Sequence, residues 1–310
     1  METLSIFGVE SGWLKDEIYV HGLRDEVKEI AKRTGGSARL SRLLGVNYDT
    51  CFKEWVIGRA PIPLGKLESI IRCCDDAFQA KIKTKIDSME LRLSCKYSAH
   101  KVAFPRFVSK DLAYAVGLIL GDGTLAGNTR NADGNWLIAV YFDNVDHLND
   151  FDEIVKKEFG INPIHNKPDG NCHDSYFCSK VVHWFFRTYF GMSNGFKANK
   201  ILAPPVIFES TDKTVQVAFL QGLFDSDGTI TRRGYVQYAS TSETMVKQVQ
   251  SMLLGFEITN YTSKWLKNEK VLPLYSVVIA SKQSVLRFSK LIGFRHPLKK
   301  ERLAKFSLVV

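Results

Sequence analysis

Two short stretches of this 310-residue chain repeat one another, and each carries an acid just before a glycine: GLILGDGTL at 117–125 and GLFDSDGTI at 222–230. Read as helix ends, the spacing is informative. Gly117 and Gly121 lie four residues apart and share one helix face, as do Gly222 and Ser226. A face of small residues lets two helix backbones approach closely. Gly123 and Gly228 are expected to stop the helices as left-handed caps, which leaves Asp122 and Asp227 at the helix C-termini. If the small faces meet, the two carboxylates converge. That placement is unfavourable alone, because a helix C-terminus carries partial negative charge and two nearby carboxylates repel. Asparagine at either position is therefore expected to leave the fold as stable as before, or more so. Hard divalent cations between the acids would remove both penalties. Such oxygen donors suit Mg²⁺ (or Mn²⁺), which keeps several waters and accepts a phosphate oxygen. A metal so placed can activate water and stabilise a leaving oxygen in phosphodiester hydrolysis.

The elements around the acids also repeat. Each motif leads into an alternating strand, 136–142 (WLIAVYF) and 235–239 (YVQYA). Amphipathic helices follow, marked by Leu148, Phe151 and Val155 in one copy and by Met245, Val249, Met252 and Leu253 in the other. Ser240 and Glu243 read as a capping box for the second of these. Another strand then ends in Ser-Lys (Ser179-Lys180; Ser281-Lys282). A last helix carries Val182, Phe185, Phe186 and Tyr189, or Val285, Phe288 and Ile292. Each copy closes on glycine and lysines, GFKANK at 195–200 and GFRHPLKK at 293–300. Residues 111–310 thus divide into halves, 111–210 and 211–310, each read as αββαββα.

The stretch LQGLFDSDG at 220–228 resembles the LAGLIDADG motif of homing endonucleases, with AVGLILGDG at 115–123 as the partner copy. NKILAPPVIF and VAFLQGLFDSDG resemble the passage between halves in intein-type members. The first copy has Leu120 where the motif usually carries an earlier acid, matched in the second by Asp225. The resemblance implies an α+β fold of duplicated halves related by a pseudo-two-fold axis, with 112–210 superposing on 215–310. The motif helices would form the interface, and two antiparallel sheets would make a saddle on double-stranded DNA. Asp122 and Asp227 would be the metal ligands of a site-specific endonuclease acting as a monomer. Lys197 and Lys299 or Lys300 would assist the phosphate chemistry, and Asn144 would lie near the scissile phosphate.

Ahead of this block, residues 1–77 read as a small all-α domain. The stretch Leu40–Ile71 resembles a Cro/C1-type helix-turn-helix: an apolar helix, a Gly45 turn, a third helix capped by Asn47, then a Gly-Arg and Pro junction at Gly58-Arg59. That resemblance puts the third helix in the major groove, with Tyr48, Asp49, Thr50 and Lys53 outward and Arg59 beside them. A fragment of residues 1–78 is expected to fold alone and bind duplex DNA. Residues 78–110 read as a linker with one strand, where Met89, Leu91, Leu93, Cys95 and Tyr97 alternate with polar residues.

A net charge of +9 suits a polyanionic partner, nucleic acid or an anionic membrane surface. The longest apolar run, Leu112 to Gly121, is far short of the roughly 20 residues of a membrane span, and no signal peptide is visible. The six cysteines have no framework spacing and read as reduced thiols of a cytoplasmic protein. Cys172-His173 with Cys178 is a poor match to zinc-site spacing. The main alternative to cleavage is a transcriptional regulator with the same fold that binds DNA without cutting it. Splicing as an intein is not expected from a start at Met1-Glu2 and a finish at Val309-Val310. An RNA-splicing maturase would suit the basic charge, but a helix-turn-helix reads duplex DNA.

Overall fold

The computed structural model describes residues 3–7, 15–96, 100–127, 136–166, 172–195, 199–266 and 271–308. The N-terminal part runs β1 (Ile18–His21), α1 (Arg24–Arg33), α2 (Ser37–Leu44), a π-helix (Thr50–Val56), β2 (Ile62–Pro63), α3 (Leu64–Arg72), α4 (Asp76–Asp87), β3 (Arg92–Cys95) and β4 (Val102–Ala103). The helices bury Val27, Ile30, Leu40, Trp55, Leu67 and Ile70 in a common core.

Two sequence expectations are corrected by this unit. The block is not all-α, because Ile18 and Val20 alternate into the core from a strand that pairs with β2 and β3 in the order β2-β1-β3-β4. Nor is 78–110 a linker. It contains most of α4, started by Asp75, whose carboxylate accepts the Phe78 amide at 3.0 Å. It also contains β3, where Leu93 stands opposite Val20. A chain cut at residue 78 would strip β1 of its central partner. The periodicity of α1–α3 is readable in the sequence, but the four-residue strand Ile18–His21 is too short to stand out by alternation. Tyr97 lies outside the described residues.

This N-terminal unit is packed onto the rest of the chain. The Phe104 ring meets Phe185 and Tyr189 edge-on at 5.7 and 5.8 Å. The Tyr189 hydroxyl donates to the Ser5 carbonyl at 2.7 Å, and Lys180 pairs with Glu17.

The remainder runs α5 (Lys110–Asp122), β5 (Gly123–Ala126), β6 (Leu137–Phe142), α6 (Val145–Phe159), β7 (His173–Cys178), α7 (Lys180–Phe190), α8 (Pro205–Phe208), α9 (Lys213–Asp227), β8 (Gly228–Ile230), β9 (Val236–Ser240), α10 (Glu243–Gly255), β10 (Tyr261–Trp265), β11 (Leu274–Ile279), α11 (Lys282–Leu291) and α12 (Pro297–Leu308). One sheet has the order β5-β6-β7, the other β10-β11-β9-β8. From α9 to α11 the order is αββαββα. The first half departs from the expected pattern. Among its described residues, the strand expected before β7 is a single bridge between Ile164 and Tyr176. Pro163 beside it has no N–H to extend the ladder.

Helices α5 and α9 meet at their glycines. A Cβ on Gly117 would stand 2.5 Å from the Phe219 carbonyl oxygen and 2.9 Å from the Leu223 nitrogen. One on Gly222 would overlap the Tyr114 carbonyl oxygen. The glycines that end these helices act differently from the expectation. Gly123 (φ −108, ψ 176) and Gly228 (φ −82, ψ 151) are extended, not left-handed. Each turns its helix directly into a strand, so close that a Cβ would strike the preceding turn at Ile119 or Phe224. The expected capping box also shifts by two residues. Ser242 caps α10 by accepting the Met245 amide at 3.2 Å, while Ser240 accepts the Ser242 amide at 3.1 Å.

Gly222→Ala and Gly117→Ala should each cost about 2–3 kcal/mol, because backbone atoms cannot step aside for the new methyl. Gly255→Ala on α10, with nothing within 4 Å of its Cβ, should be neutral or stabilise by up to about 1 kcal/mol. Urea unfolding of the three variants checks this, and equal stability of all three would contradict the packing described.

Candidate active site

Caps fix the start of both motif helices. Ser109 accepts the Leu112 amide at 3.0 Å on α5, and Asp212 accepts the Thr214 amide at 3.0 Å on α9. Their close crossing then brings the end of the second motif onto the end of the first. A Cβ on Gly121 would lie 3.2 Å from Asp227 Oδ2, so the second carboxylate reaches the residue next to Asp122. Both acids are half-buried.

A cleft opens on each side of the pair, and the linings are reciprocal. One, of about 670 Å³, holds Asp227 with Leu120 and Gly121. The other, of about 490 Å³, holds Asp122 with Asp225 and Ser226. Each cleft thus takes the last acid of one motif and the two preceding positions of the other. The sheets border them. In the second sheet Tyr238 packs on Phe224 while Val277 and Ile279 are fully buried. The alternate positions Gln237, Ala239, Leu274 and Ser276 therefore turn the other way, and Ala239 and Leu274 line the Asp227 cleft. By register Ser263 and Trp265 share that face. In the first half Tyr141 lines the Asp122 cleft.

The electrostatics differ from those of a bare pair of acids at helix ends. The Lys299 ammonium donates to the carbonyls of Phe224 (3.2 Å), Asp225 (2.6 Å) and Ser226 (2.8 Å), satisfying the C-terminus of α9 with positive charge. Burial pulls its pKa below the ordinary lysine value, against the opposing pull of Asp225, Asp122, Asp227 and Asp143. An asparagine at either motif acid therefore removes an attraction to a half-buried ammonium as well as a repulsion, and stabilisation no longer follows.

Behind Lys299 lies a polar cluster that the sequence reading missed. Asp225 is buried and accepts three hydrogen bonds: from the Tyr114 hydroxyl at 2.8 Å, and from the amides of Arg295 and His296 at 3.0 and 3.1 Å. Burial raises its pKa, and those bonds oppose the rise. His296 Nε2 lies 3.0 Å from Asp143, and this contact holds the Asp143 carboxyl below its usual range. His147 is buried against Phe142 and 5.2 Å from the His296 ring. The signal for Asp225 was its place in the motif. Tyr114, Asp143 and the two histidines come from separate elements and had none.

The other expected site residues are dispersed. Lys197 lies outside the described residues. Lys300 is exposed and is not among the residues lining the Asp122 cleft, which instead include Lys299 and Arg302. Asn144 accepts the His147 amide at 3.3 Å and so starts α6. In the N-terminal unit Tyr48 is exposed and stacked on Phe52 at 5.5 Å. Lys53 is exposed but paired with Asp49 at 3.0 Å. Arg59 is exposed and Thr50 half-buried. Asn47 accepts the Asp49 amide at 2.8 Å, and its carbonyl accepts the Cys51 amide. No described helix is long and apolar enough to cross a membrane.

Residues 214–293, which span α9 to the end of α11, match the family of LAGLIDADG-like domains. Among curated relatives, the glutamine–fructose-6-phosphate aminotransferase of Methanocaldococcus jannaschii is 25% identical over 91% of this chain and 24% of its own length. The ribonucleoside-diphosphate reductase NrdEB subunit alpha of Bacillus subtilis is 25% identical over 54% of this chain and 16% of its own length. The replication factor C small subunit of Thermococcus kodakarensis is 26% identical over 66% and 22%. The chain thus spans a quarter or less of the length of these relatives. Among solved structures, the homing endonuclease I-DmoI in complex with DNA and Mn aligns with a TM-score of 0.46 at 17% identity, over 60% of this chain and 97% of that one. Full-length DUF199/WhiA from Thermatoga maritima aligns with a TM-score of 0.41 at 17% identity, over 66% and 62%.

Stability should depend on pH through His147. Burial, followed by the neighbouring His296, Lys299 and Arg295, lowers its pKa to about 3, against about 6.5 when unfolded. The native state then binds fewer protons between those values. Stability from this residue is complete above pH ~6.5 and is lost as pH falls toward 3. Moving from pH 7.5 to 5 should cost roughly 1–2 kcal/mol through this group. His147→Phe should flatten that part of the profile in urea titrations, and an unchanged slope would show that His147 is not held neutral.

Proposed function

We propose that the protein is a site-specific endonuclease for double-stranded DNA that uses divalent metal between Asp122 and Asp227. The observation that carries this reading is the crossing of α5 and α9 at Gly117 and Gly222, which brings two helix-end carboxylates between two clefts bordered by sheet faces. The residues fit such a cation. Among the described residues no group of three or more His, Cys, Asp or Glu could hold one. Two carboxylates leave the remaining positions to water and to DNA phosphate oxygens, the arrangement Mg²⁺ favours. When bound, the metal would supply activation of water and stabilisation of the leaving oxygen.

The chain's own groups do the rest. Asp122 and Asp227 provide the negative charge. Lys299 holds positive charge beside Asp122, where a phosphate would enter, and Arg302 lines the same cleft. Gln237 and Ser263 offer hydrogen-bonding groups, and Trp265 an apolar surface, on the sheet face that would meet base edges. The reading also fits the relatives. An aminotransferase, a reductase subunit and a replication factor share no chemistry by name, and the matched part of each is a quarter or less.

In this reading the N-terminal unit extends the DNA contact through the exposed side of its π-helical segment, with Tyr48, Lys53 and Arg59. A non-cleaving DNA-binding regulator is the second reading. Lys299 favours it, because an ammonium among the acids takes part of the role a cation would have.

Purified protein incubated with a plasmid library of its flanking DNA and Mg²⁺ should produce double-strand ends at one long asymmetric site. Asp122→Asn and Asp227→Asn should reduce cleavage by about a hundredfold or more, while binding in Ca²⁺ survives. Tight binding with no cleavage in Mg²⁺ or Mn²⁺ would decide for the regulator. In the full-length protein, Lys53→Ala with Arg59→Ala should weaken binding and lower the salt slope by about 1 for each phosphate that is no longer neutralised. An unchanged slope would remove the N-terminal unit from the DNA interface.

A further inference from the structure

The two motifs differ at one position with a structural consequence. The residue two before the final acid is Asp225 in the second motif and Leu120 in the first. Both face a cleft, Asp225 the one with Asp122 and Leu120 the one with Asp227. Asp225 does not stand free there. Its carboxylate takes the amides of Arg295 and His296, the two residues that precede α12. One turn earlier on α9, Gln221 grips the same segment, donating to the Ile292 carbonyl at 2.6 Å and accepting from Arg295 Nε at 2.9 Å. From the other half, Tyr114 donates to Asp225, and the Arg295 guanidinium stacks on the Tyr114 ring at 3.9 Å. The segment so held leads, three residues after His296, into Lys299, whose ammonium lies on the end of α9.

We propose that Asp225 is a positioning residue. It fixes the start of α12 and thereby sets Lys299 in the Asp122 cleft, a part that the leucine at 120 cannot play at the Asp227 cleft. A leucine side chain has no acceptor for backbone amides, so Leu120 cannot hold a chain segment in this way. The two clefts are therefore unequal. If the protein cuts DNA as proposed above, on which this consequence rests, the two strands are served by different machinery, and disturbing Asp225 affects one strand.

The test uses the full chain with Asp225→Asn, whose amide would face two N–H donors with an N–H of its own, and Tyr114→Phe, which removes only the bond from the other half. Amide hydrogen exchange of the metal-free protein is the first readout. Exchange at residues 295–300 should rise at least tenfold in Asp225→Asn, and less in Tyr114→Phe, while α5 and β6 keep their protection. Unchanged exchange at 295–300 would overturn the positioning role. So would a rise spread evenly over the whole chain in both variants.

Strand-resolved cleavage of a supercoiled plasmid is the second readout. Asp225→Asn should accumulate nicked circles, with the surviving bond on the same strand that Lys299→Met leaves uncut. Equal slowing of both strands, or opposite strands in the two variants, would overturn the assignment. If wild-type protein cuts nothing, the endonuclease reading fails, and the exchange experiment alone judges Asp225.

Discussion

Two aspartates at the very ends of separate helices are brought to one place when the helix backbones nearly touch. In this protein that closeness rests on Gly117 against Gly222, where a single methyl on either side would enter the backbone of the other helix. Everything that bears on chemistry is arranged from that contact. Gly121 and Ser226 continue the small face toward the acids. Gly123 and Gly228 then let each chain leave its helix straight into a strand, so each sheet begins at its own acid. Proximity of the acids and placement of the sheets are consequences of one packing solution.

The same solution creates an electrostatic cost that the fold offsets from outside the motif. Acids at helix C-termini are opposed by the helix dipole. Lys299 answers this with an ammonium on the last carbonyls of α9, within reach of the field of four aspartates. Drawing a lysine partly out of water is itself costly, and its chain segment must be held. Asp225 and Gln221 hold it through the backbone of residues 292–296. An anchor, a counter-charge and an acid pair are thus stacked along one end of one helix.

How much of this the sequence disclosed depends on the length scale of each feature. The motif helices, their small faces and the two acids were legible, because four-residue spacing on a helix is local geometry. The glycines ending the helices were legible as glycines and misread in conformation. A left-handed cap and a close extended turn both call for the absence of a Cβ, and the sequence does not distinguish them. Lys299 could not be separated from Lys300, since the choice depends on how α12 is rotated, which is set by Asp225 from 70 residues away. Tyr114, Asp143, His147 and His296 meet only in three dimensions. In the N-terminal unit, helical periodicity was visible, but Ile18–His21 and Arg92–Cys95 are strands of four residues whose pairing spans most of the unit.

That pairing changes what the N-terminal unit can contribute. A flexible linker would let a second DNA-binding element search around the first, with an effective concentration set by tether length. In this chain β3 and β4 belong to the N-terminal sheet, and Phe104, just beyond β4, packs edge-on against both Phe185 and Tyr189 of the first half. Tyr189 also holds Ser5, and Lys180, at the start of α7, holds Glu17. The exposed Tyr48, Lys53 and Arg59 are therefore carried on a unit packed against the first half, not on a flexible tether. If both surfaces meet one duplex, the helical phase between their contacts is set by this packed aromatic joint, and an added or deleted base pair between them would rotate one contact off its groove face.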